Sequence, residues 1–107
     1  MSNQKNFGAD FNNLLDTSHL KSITLSDMSS GTSFRVDNIP GKQASVKILY
    51  AISQANDFKI SRDQARTGVS LFGDYAEEEK QQPGAHPNIK LLFDIIENNQ
   101  VWMVEVS

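Results

Sequence analysis

The sequence predicts an α+β domain in which a three-stranded, mainly antiparallel sheet is covered by about four helices. Three observations indicate this class. Apolar residues alternate in two stretches between residues 20 and 39, a β-rich segment at 101–106 closes the chain, and helical apolar spacing fills most of the rest. The predicted order is αββαααβ, in a single small domain over residues 1–107.

The first predicted elements are a short helix and a β-hairpin. Phe7, Phe11 and Leu14 recur at helical spacing, which predicts a helix ending near Ser18. The period then changes to alternation in residues 20–26 and 32–39, and the intervening Asp-Met-Ser-Ser-Gly segment contains residues that favour turns. A hairpin is therefore expected here.

Three helices are predicted after the hairpin, each with a recognisable start. The first begins after Pro40-Gly41. The second opens on a capping box, Ser61 with Gln64, and is expected to run to about Lys80, with a bend or close packing at its two glycines, 68 and 73. The third begins at Pro87 and is capped by the Asn pair 98–99.

The composition excludes several kinds of chemistry. The chain has no cysteine, which removes disulfides, thiolate nucleophiles, iron–sulfur clusters and cysteine-based zinc sites. The two histidines, His19 and His86, fall in different elements without an adjacent carboxylate pair, so no metal site is predicted. No cofactor motif is found, and the serines at 29, 30 and 33 lack the pattern of a catalytic nucleophile.

The charge and hydropathy patterns exclude two kinds of partner. The net charge is -3, and residues 54–107 hold nine of the thirteen acidic residues. No basic stripe is present, so nucleic acid is not an expected partner. No apolar run has the length of a membrane span or a signal peptide, so no membrane association is predicted and a cytoplasmic location is expected.

Two Pro-Gly loops, each leading into a predicted helix, are the main candidates for a site. One carries Gly41 and Lys42, and the other, Pro83-Gly84, carries His86. Backbone N–H groups at a helix start attract anions, and each loop adds a side chain able to donate a hydrogen bond, so the two loops together predict a site for a small anionic ligand. The alternative is that Pro-Gly only marks the boundary between elements.

Three other groups of residues have a functional and a structural interpretation. Arg62 and Arg66 lie one helical turn apart and form a possible clamp for a carboxylate or phosphate, with Asp63 on another face. The acidic run 77–79 is interpreted as a solvated helix face. In the last strand, Trp102 and Met103 are interface candidates beside an open strand edge, although burial in the core also explains Trp102.

The order and separation of Pro40-Gly41-Lys42-Gln43 and His86-Pro87-Asn88-Ile89 resemble a small uncharacterised bacterial family, one of the domains of unknown function. The resemblance extends over most of the chain and implies a bacterial cytoplasmic protein. It implies no activity, cofactor or partner, and therefore transfers no functional residues.

The leading hypothesis is a binding or interaction module. It would form a homodimer or contact another protein through the last strand, with a ligand site between the two loops. The competing hypothesis is a small enzyme in which His86 acts as acid or base, and Lys42 or the pair Arg62 and Arg66 holds an anionic substrate.

Overall fold

The computed structural model describes residues 6–107 and confirms the α+β class with an antiparallel sheet. The sheet has four strands where three were predicted. They run, in chain order, β1 Ser22–Asp27, β2 Ser33–Asp37, β3 Lys59–Ile60 and β4 Trp102–Val106. The helices in the described residues are α1 Gln43–Gln54, α2 Arg62–Phe72, α3 Asp74–Gln81 and α4 Pro87–Asn98.

The predicted hairpin is confirmed as β1 and β2. The two strands pair antiparallel with Ile23 opposite Val36 and Leu25 opposite Phe34. Between them Gly31 adopts a φ of 78°, a conformation that glycine reaches without steric strain. The apolar cross-strand pairs set the register and direct one face of the hairpin toward the core.

The C-terminal strand is not the edge strand that the sequence predicted. The strand order is β2-β1-β4-β3, so β4 lies inside the sheet, antiparallel to both of its neighbours. The sequence-based expectation was wrong because β3 was not foreseen. β3 covers only Trp102 and Met103 of β4.

β3 was missed because it is very short and follows an unusual turn. It has two residues, and the turn before it places Asp57 and Phe58 at φ values of 54° and 58°. Asn-Gly or Asp-Gly ordinarily marks such a turn, and here Phe58 occupies the position at which glycine is expected. The turn closes with the N–H of Lys59 donating to the carbonyl of Asn56 at 3.1 Å.

The helices cover one face of the sheet. α1 contacts β1, β2 and β3, and α2 packs against α1 and α4. The fully buried side chains of this single core come from both layers: Ile23, Leu25, Val36, Val46, Ile48, Leu49, Ile60, Ile89, Leu92 and Ile95. The opposite face of β1 and β2 carries polar residues, which is the pattern of an antiparallel sheet with one solvated side.

Most of the predicted helix boundaries are confirmed. The Ser61 and Gln64 capping box is present at the start of α2. Pro87 occupies the first turn of α4, and Asn99 ends that helix in the left-handed conformation at a φ of 52°. These signals act locally, through backbone groups that no tertiary contact has to supply.

The helix predicted over residues 62–80 is two helices. Gly73, at a φ of 59°, stops α2 and redirects the chain into α3. Its N–H still donates to the carbonyl of Ser70 at 3.2 Å, whereas the next N–H, of Asp74, bonds to the carbonyl of Asn6 at 2.9 Å. The bend that the glycine suggested is therefore a complete break.

The helix predicted at 7–18 is wrong. Within it only Phe11–Asn13 forms a single 3₁₀ turn. The preceding chain is held by other parts of the fold, because the N–H of Gly8 donates to the carbonyl of Leu71 at 2.8 Å. Phe7, Phe11 and Leu14 still pack against the core. Their apolar spacing therefore reflects contact with the core, although the segment is not an α-helix.

His19 lies exposed in a turn that follows the segment predicted to be the first helix. No helix among residues 6–107 is both long and apolar enough to cross a bilayer.

Candidate functional site

The two Pro-Gly loops meet in space. A cleft of about 310 Å³ is lined by Gly41 and Lys42 from the first loop and by His86 from the second. The remaining wall is largely apolar and aromatic, and it consists of Phe7, Ala44, Ser45, Phe72, Tyr75, Ala85, Pro87, Asn88 and Ile89. Residues more than forty positions apart in the sequence thus contribute to one concave surface.

On one side of the cleft lies the N-terminus of α1. Lys42 is the residue at the helix cap, and no side chain among the described residues caps this end. Ala44 and Ser45, both in the first turn, line the cleft. The N–H groups of a first helical turn have no acceptor within the helix, so this end presents donors and a partial positive charge to the cleft.

On the other side of the cleft, the backbone N–H groups of the second loop are hydrogen-bonded to a carboxyl group of the protein itself. Glu79 is only 3% exposed, and its carboxyl oxygens accept from the N–H of Gly84 at 2.7 Å and from the N–H of His86 at 2.6 Å. These are the loop donors that the sequence assigned to an external anion. The N–H groups of Gly84 and His86 are therefore already engaged by Glu79.

The imidazole of His86 is held by a second carboxyl group. Its Nε2 lies 2.5 Å from Oε1 of Glu78, and both side chains are about three-quarters buried. The ring also meets Tyr75 edge-on, with the ring centroids 5.7 Å apart. When the imidazole is neutral and donates from Nε2, Nδ1 remains as its hydrogen-bond acceptor.

Glu78 and Glu79 correct the interpretation of the acidic run as a solvated face. Glu77 alone fits that description, since it is exposed and pairs with Lys80 at 3.3 Å. The sequence pattern placed no carboxylate partner next to His86, whereas in the fold Glu78 of α3 contacts its imidazole. The contacts of Glu78 and Glu79 form because α3 runs beside the loop that carries His86. No local sequence pattern predicts this placement of α3.

α3 places all three contacts on one face. Tyr75, Glu78 and Glu79 stand at i, i+3 and i+4, the spacing that brings side chains to the same side of a helix. The break at Gly73 starts α3 in a new direction. The spacing of Tyr75, Glu78 and Glu79 can be read from the sequence. It indicates a site only when the direction of α3 relative to the His86 loop is known.

Aromatic rings form a continuous wall on the same side. Phe7 stacks on Phe11 with centroids 4.2 Å apart and planes 12° apart. It also lies 4.8 Å from the ring of Tyr75, which in turn meets His86. Phe7 was missed as a site residue because it lies in the segment that was predicted to be an amphipathic helix.

Arg62 and Arg66 do not join this cleft. Arg62 donates from Nε to the carbonyl of Ile96 at 2.9 Å and so satisfies the C-terminal turn of α4. Arg66 is exposed and lies 3.6 Å from Asp63, which is on the same helix face, contrary to expectation. Neither guanidinium lines the cleft that contains Lys42 and His86.

The two candidate interface residues lie on opposite faces of the sheet. Trp102 is 6% exposed in the core, and its indole N–H donates to Oε1 of Gln100 at 3.1 Å. Met103 is 45% exposed on the outer face, paired across the strands with Ser26 and Lys59. A protein–protein contact on the outer face of β4 would therefore involve Met103, whereas Trp102 packs in the core on the opposite face.

Among residues 6–107 no group of three or more histidine, aspartate or glutamate side chains is arranged to hold a metal ion. A second cavity, of about 370 Å³, lies between the N-terminal segment and helices α1 and α2. Small and apolar residues dominate its wall, and Asp10 is the charged residue there.

The fold and the site define a small α+β domain with a one-sided antiparallel sheet and a cleft that combines a cation with aromatic rings. The chain belongs to the bacterial family DUF2322, described as an uncharacterised protein conserved in bacteria, whose model matches residues 7–106. That match covers both loops and confirms the family resemblance. Searches of the curated proteins and of the solved structures found no significant match.

Proposed function

We propose that this protein is a ligand-binding module that holds a small organic anion in the cleft between its two Pro-Gly loops. The observation that carries the proposal is the convergence of Lys42 and His86, from loops distant in sequence, on one cleft at the uncapped end of α1. Concave sites with apolar walls and a few polar groups are the usual form of small-molecule sites.

The charges near the cleft favour an anion at the α1 side. Lys42 is exposed and forms no ion pair with any other described residue, and the helix end adds its own partial positive charge. Glu78 and Glu79 are on the opposite side, where they hold the second loop. A ligand is therefore oriented with its negative group toward Lys42 and its neutral part along the apolar wall.

The experiment compares ligand pairs that differ only in charge. Thermal unfolding is measured with hexanoate against hexanamide and with benzoate against benzamide. At 100 times its dissociation constant a ligand adds about 2.7 kcal/mol to folding stability, so the bound carboxylates raise the melting temperature and the amides do not.

Two lysine variants connect the effect to the cleft. Lys42→Gln is expected to lose most of the carboxylate-induced shift, whereas Lys21→Gln, an exposed lysine next to β1, retains it. The proposal fails if no carboxylate stabilises the protein, or if Lys42→Gln responds as the unsubstituted protein does.

A second candidate function is acid–base catalysis by His86. The Glu78 carboxyl at 2.5 Å from Nε2 favours it, because a carboxylate that orients an imidazole is a common feature of general bases. Turnover of a bound carboxylate would establish the enzyme, provided that His86→Gln lowers kcat by a much larger factor than it raises KM. Binding of a carboxylate without turnover would support the ligand-binding module and contradict the enzyme.

A further inference from the structure

We infer that the ligand of the cleft is a monocarboxylate carried on a single planar aromatic ring. This inference rests on the proposed function and names the chemical class of its ligand. Three features of the cleft support it: the arrangement of its rings, its size and its charge.

The rings give the cleft a partly open aromatic wall in which neighbouring rings are tilted or edge-on to each other. Phe7, Tyr75 and His86 all line it, each is only partly buried, and each touches the next. Phe11 extends the row by stacking on Phe7. Aromatic rings prefer offset-stacked or edge-to-face neighbours, so a planar ligand ring continues this row and gains contacts that an aliphatic group of equal size does not.

The size of the cleft is sufficient for a ligand of one ring and its carboxylate group. Its volume of about 310 Å³ stands at the lower end of the range typical of small-molecule pockets. Buried residues close it from beneath, since Phe72 is 3% and Ile89 1% exposed.

The charge of the cleft favours one negative charge over two. Lys42 and the end of α1 are the attractive groups, whereas Glu78 and Glu79 lie next to His86 on the other side. A phosphate monoester would bring a second charge toward those carboxyl groups, at a cost that a carboxylate avoids. His86 then faces the ring or a polar substituent of the ligand.

Calorimetric titration compares three probes: benzoate, cyclohexanecarboxylate and phenyl phosphate. The two carboxylates share charge and ring size but differ in planarity. Benzoate is expected to bind on the order of 2- to 10-fold more tightly than cyclohexanecarboxylate, the gain of one favourable ring contact, and more tightly than phenyl phosphate.

Variants of Tyr75 test whether the aromatic wall is responsible. Tyr75→Phe keeps the ring and is expected to keep the preference for benzoate over cyclohexanecarboxylate. Tyr75→Leu is expected to reduce that ratio toward one. Nuclear Overhauser effects between benzoate protons and the protons of Phe7 give a readout that does not depend on stability.

The outcomes separate this inference from the proposed function. Equal affinity for benzoate and cyclohexanecarboxylate, with dependence on Lys42, overturns the aromatic class and leaves the anion site intact. Tighter binding of phenyl phosphate than of benzoate overturns the monocarboxylate. Failure of all three probes to bind overturns this inference, and the proposed function falls with it when hexanoate also leaves the melting temperature unchanged.

Discussion

Glu79 determines the shape of the loop that carries His86. Its side chain enters the protein interior, where a carboxyl group is costly unless its oxygens are hydrogen-bonded. The N–H groups of Gly84 and His86 donate hydrogen bonds to these oxygens, and they are therefore not available to a ligand. One buried residue thus orders the loop and excludes it as a second anion site.

Glu79→Gln is expected to destabilise the fold by about 1–3 kcal/mol. The amide has one acceptor oxygen for two N–H groups, so one donor is left unsatisfied and faces the new NH₂ group. Urea unfolding measures the loss. Glu77→Gln, on the exposed side of the same helix, is the control and is expected to cost no more than about 0.5 kcal/mol. Equal effects of the two changes would contradict the role assigned to Glu79.

Asp27 organises the hairpin turn in a similar way. Its carboxylate accepts from the N–H of Ser29 at 3.0 Å and from the hydroxyls of Ser30 and Ser29 at 3.0 and 3.1 Å. The Ser29 N–H is the largest cause that holds the pKa of Asp27 below its ordinary value of 3.8, against the opposing effect of burial.

The lowered pKa of Asp27 predicts a pH-dependent contribution to stability. Because the folded-state pKa lies below the unfolded one, the contribution is complete above the unfolded pKa and is lost as the pH falls through the folded pKa. Asp27→Asn is therefore expected to be less stable than the unsubstituted protein at pH 7, with a difference that shrinks below about pH 4. Denaturant unfolding over this range measures it. A difference that did not change with pH would refute this account.

At the scale of elements, the break between α2 and α3 is what orients the site. Gly73 adopts a positive φ, and a Cβ atom there would lie 2.5 Å from the carbonyl oxygen of Asn6 and 2.8 Å from the N atom of Gly8. The N-terminal segment crosses the break at this point, and it brings Phe7 to the cleft. The same glycine thus allows the new direction of α3 and the close approach of this segment.

Gly73→Ala is expected to cost more stability than Gly31→Ala. Both glycines have a positive φ, so each substitution incurs about 1 kcal/mol or more of backbone strain. Nothing lies within 4 Å of a Cβ at Gly31, whereas at Gly73 the added atom meets backbone. Chemical denaturation gives the two losses, and a smaller loss for Gly73→Ala would show that the segment does not approach as described.

Local signals predicted the elements whose ends are set by local chemistry. The Ser61 capping box, Pro87 and Asn99 act on backbone groups within one turn, and the structure confirms them. The segment around Phe11 and the strand at Lys59–Ile60 depend instead on partners distant in sequence. A window of neighbouring residues contains no information on those partners, so apolar spacing alone suggested a helix in the first case and nothing in the second.

At the scale of the whole molecule, the sheet separates a buried face from a solvated one. Trp102 and Met103 are neighbours in sequence, yet alternation along β4 places the first in the core and the second on the outer face. Association of two copies or with another protein through this strand remains a prediction. It would depend on Met103 and its exposed neighbours Met28 and Val101.

Alanine substitutions distinguish the two faces. Trp102→Ala removes a large buried side chain and is expected to cost about 3–5 kcal/mol, whereas Met103→Ala is expected to stay within about 1 kcal/mol. Circular dichroism during urea unfolding measures both without relying on the one tryptophan. Light scattering of the unsubstituted protein and of Met103→Ala then shows whether a dimer forms and depends on this face. Comparable losses for the two variants would contradict the assignment of faces.

By itself the sequence determined the α+β class, the hairpin, three helix starts and the pair of loops with Lys42 and His86, because periodicity and capping act over a few residues. The tertiary structure decided the fourth strand, the internal position of β4, the break after α2 and the direction of α3. It also decided that Glu78 and Glu79 hold the His86 loop while the Arg62 and Arg66 side chains lie elsewhere. The reason is physical: a cleft between distant loops depends on how helices pack, and packing is set by the whole core at once.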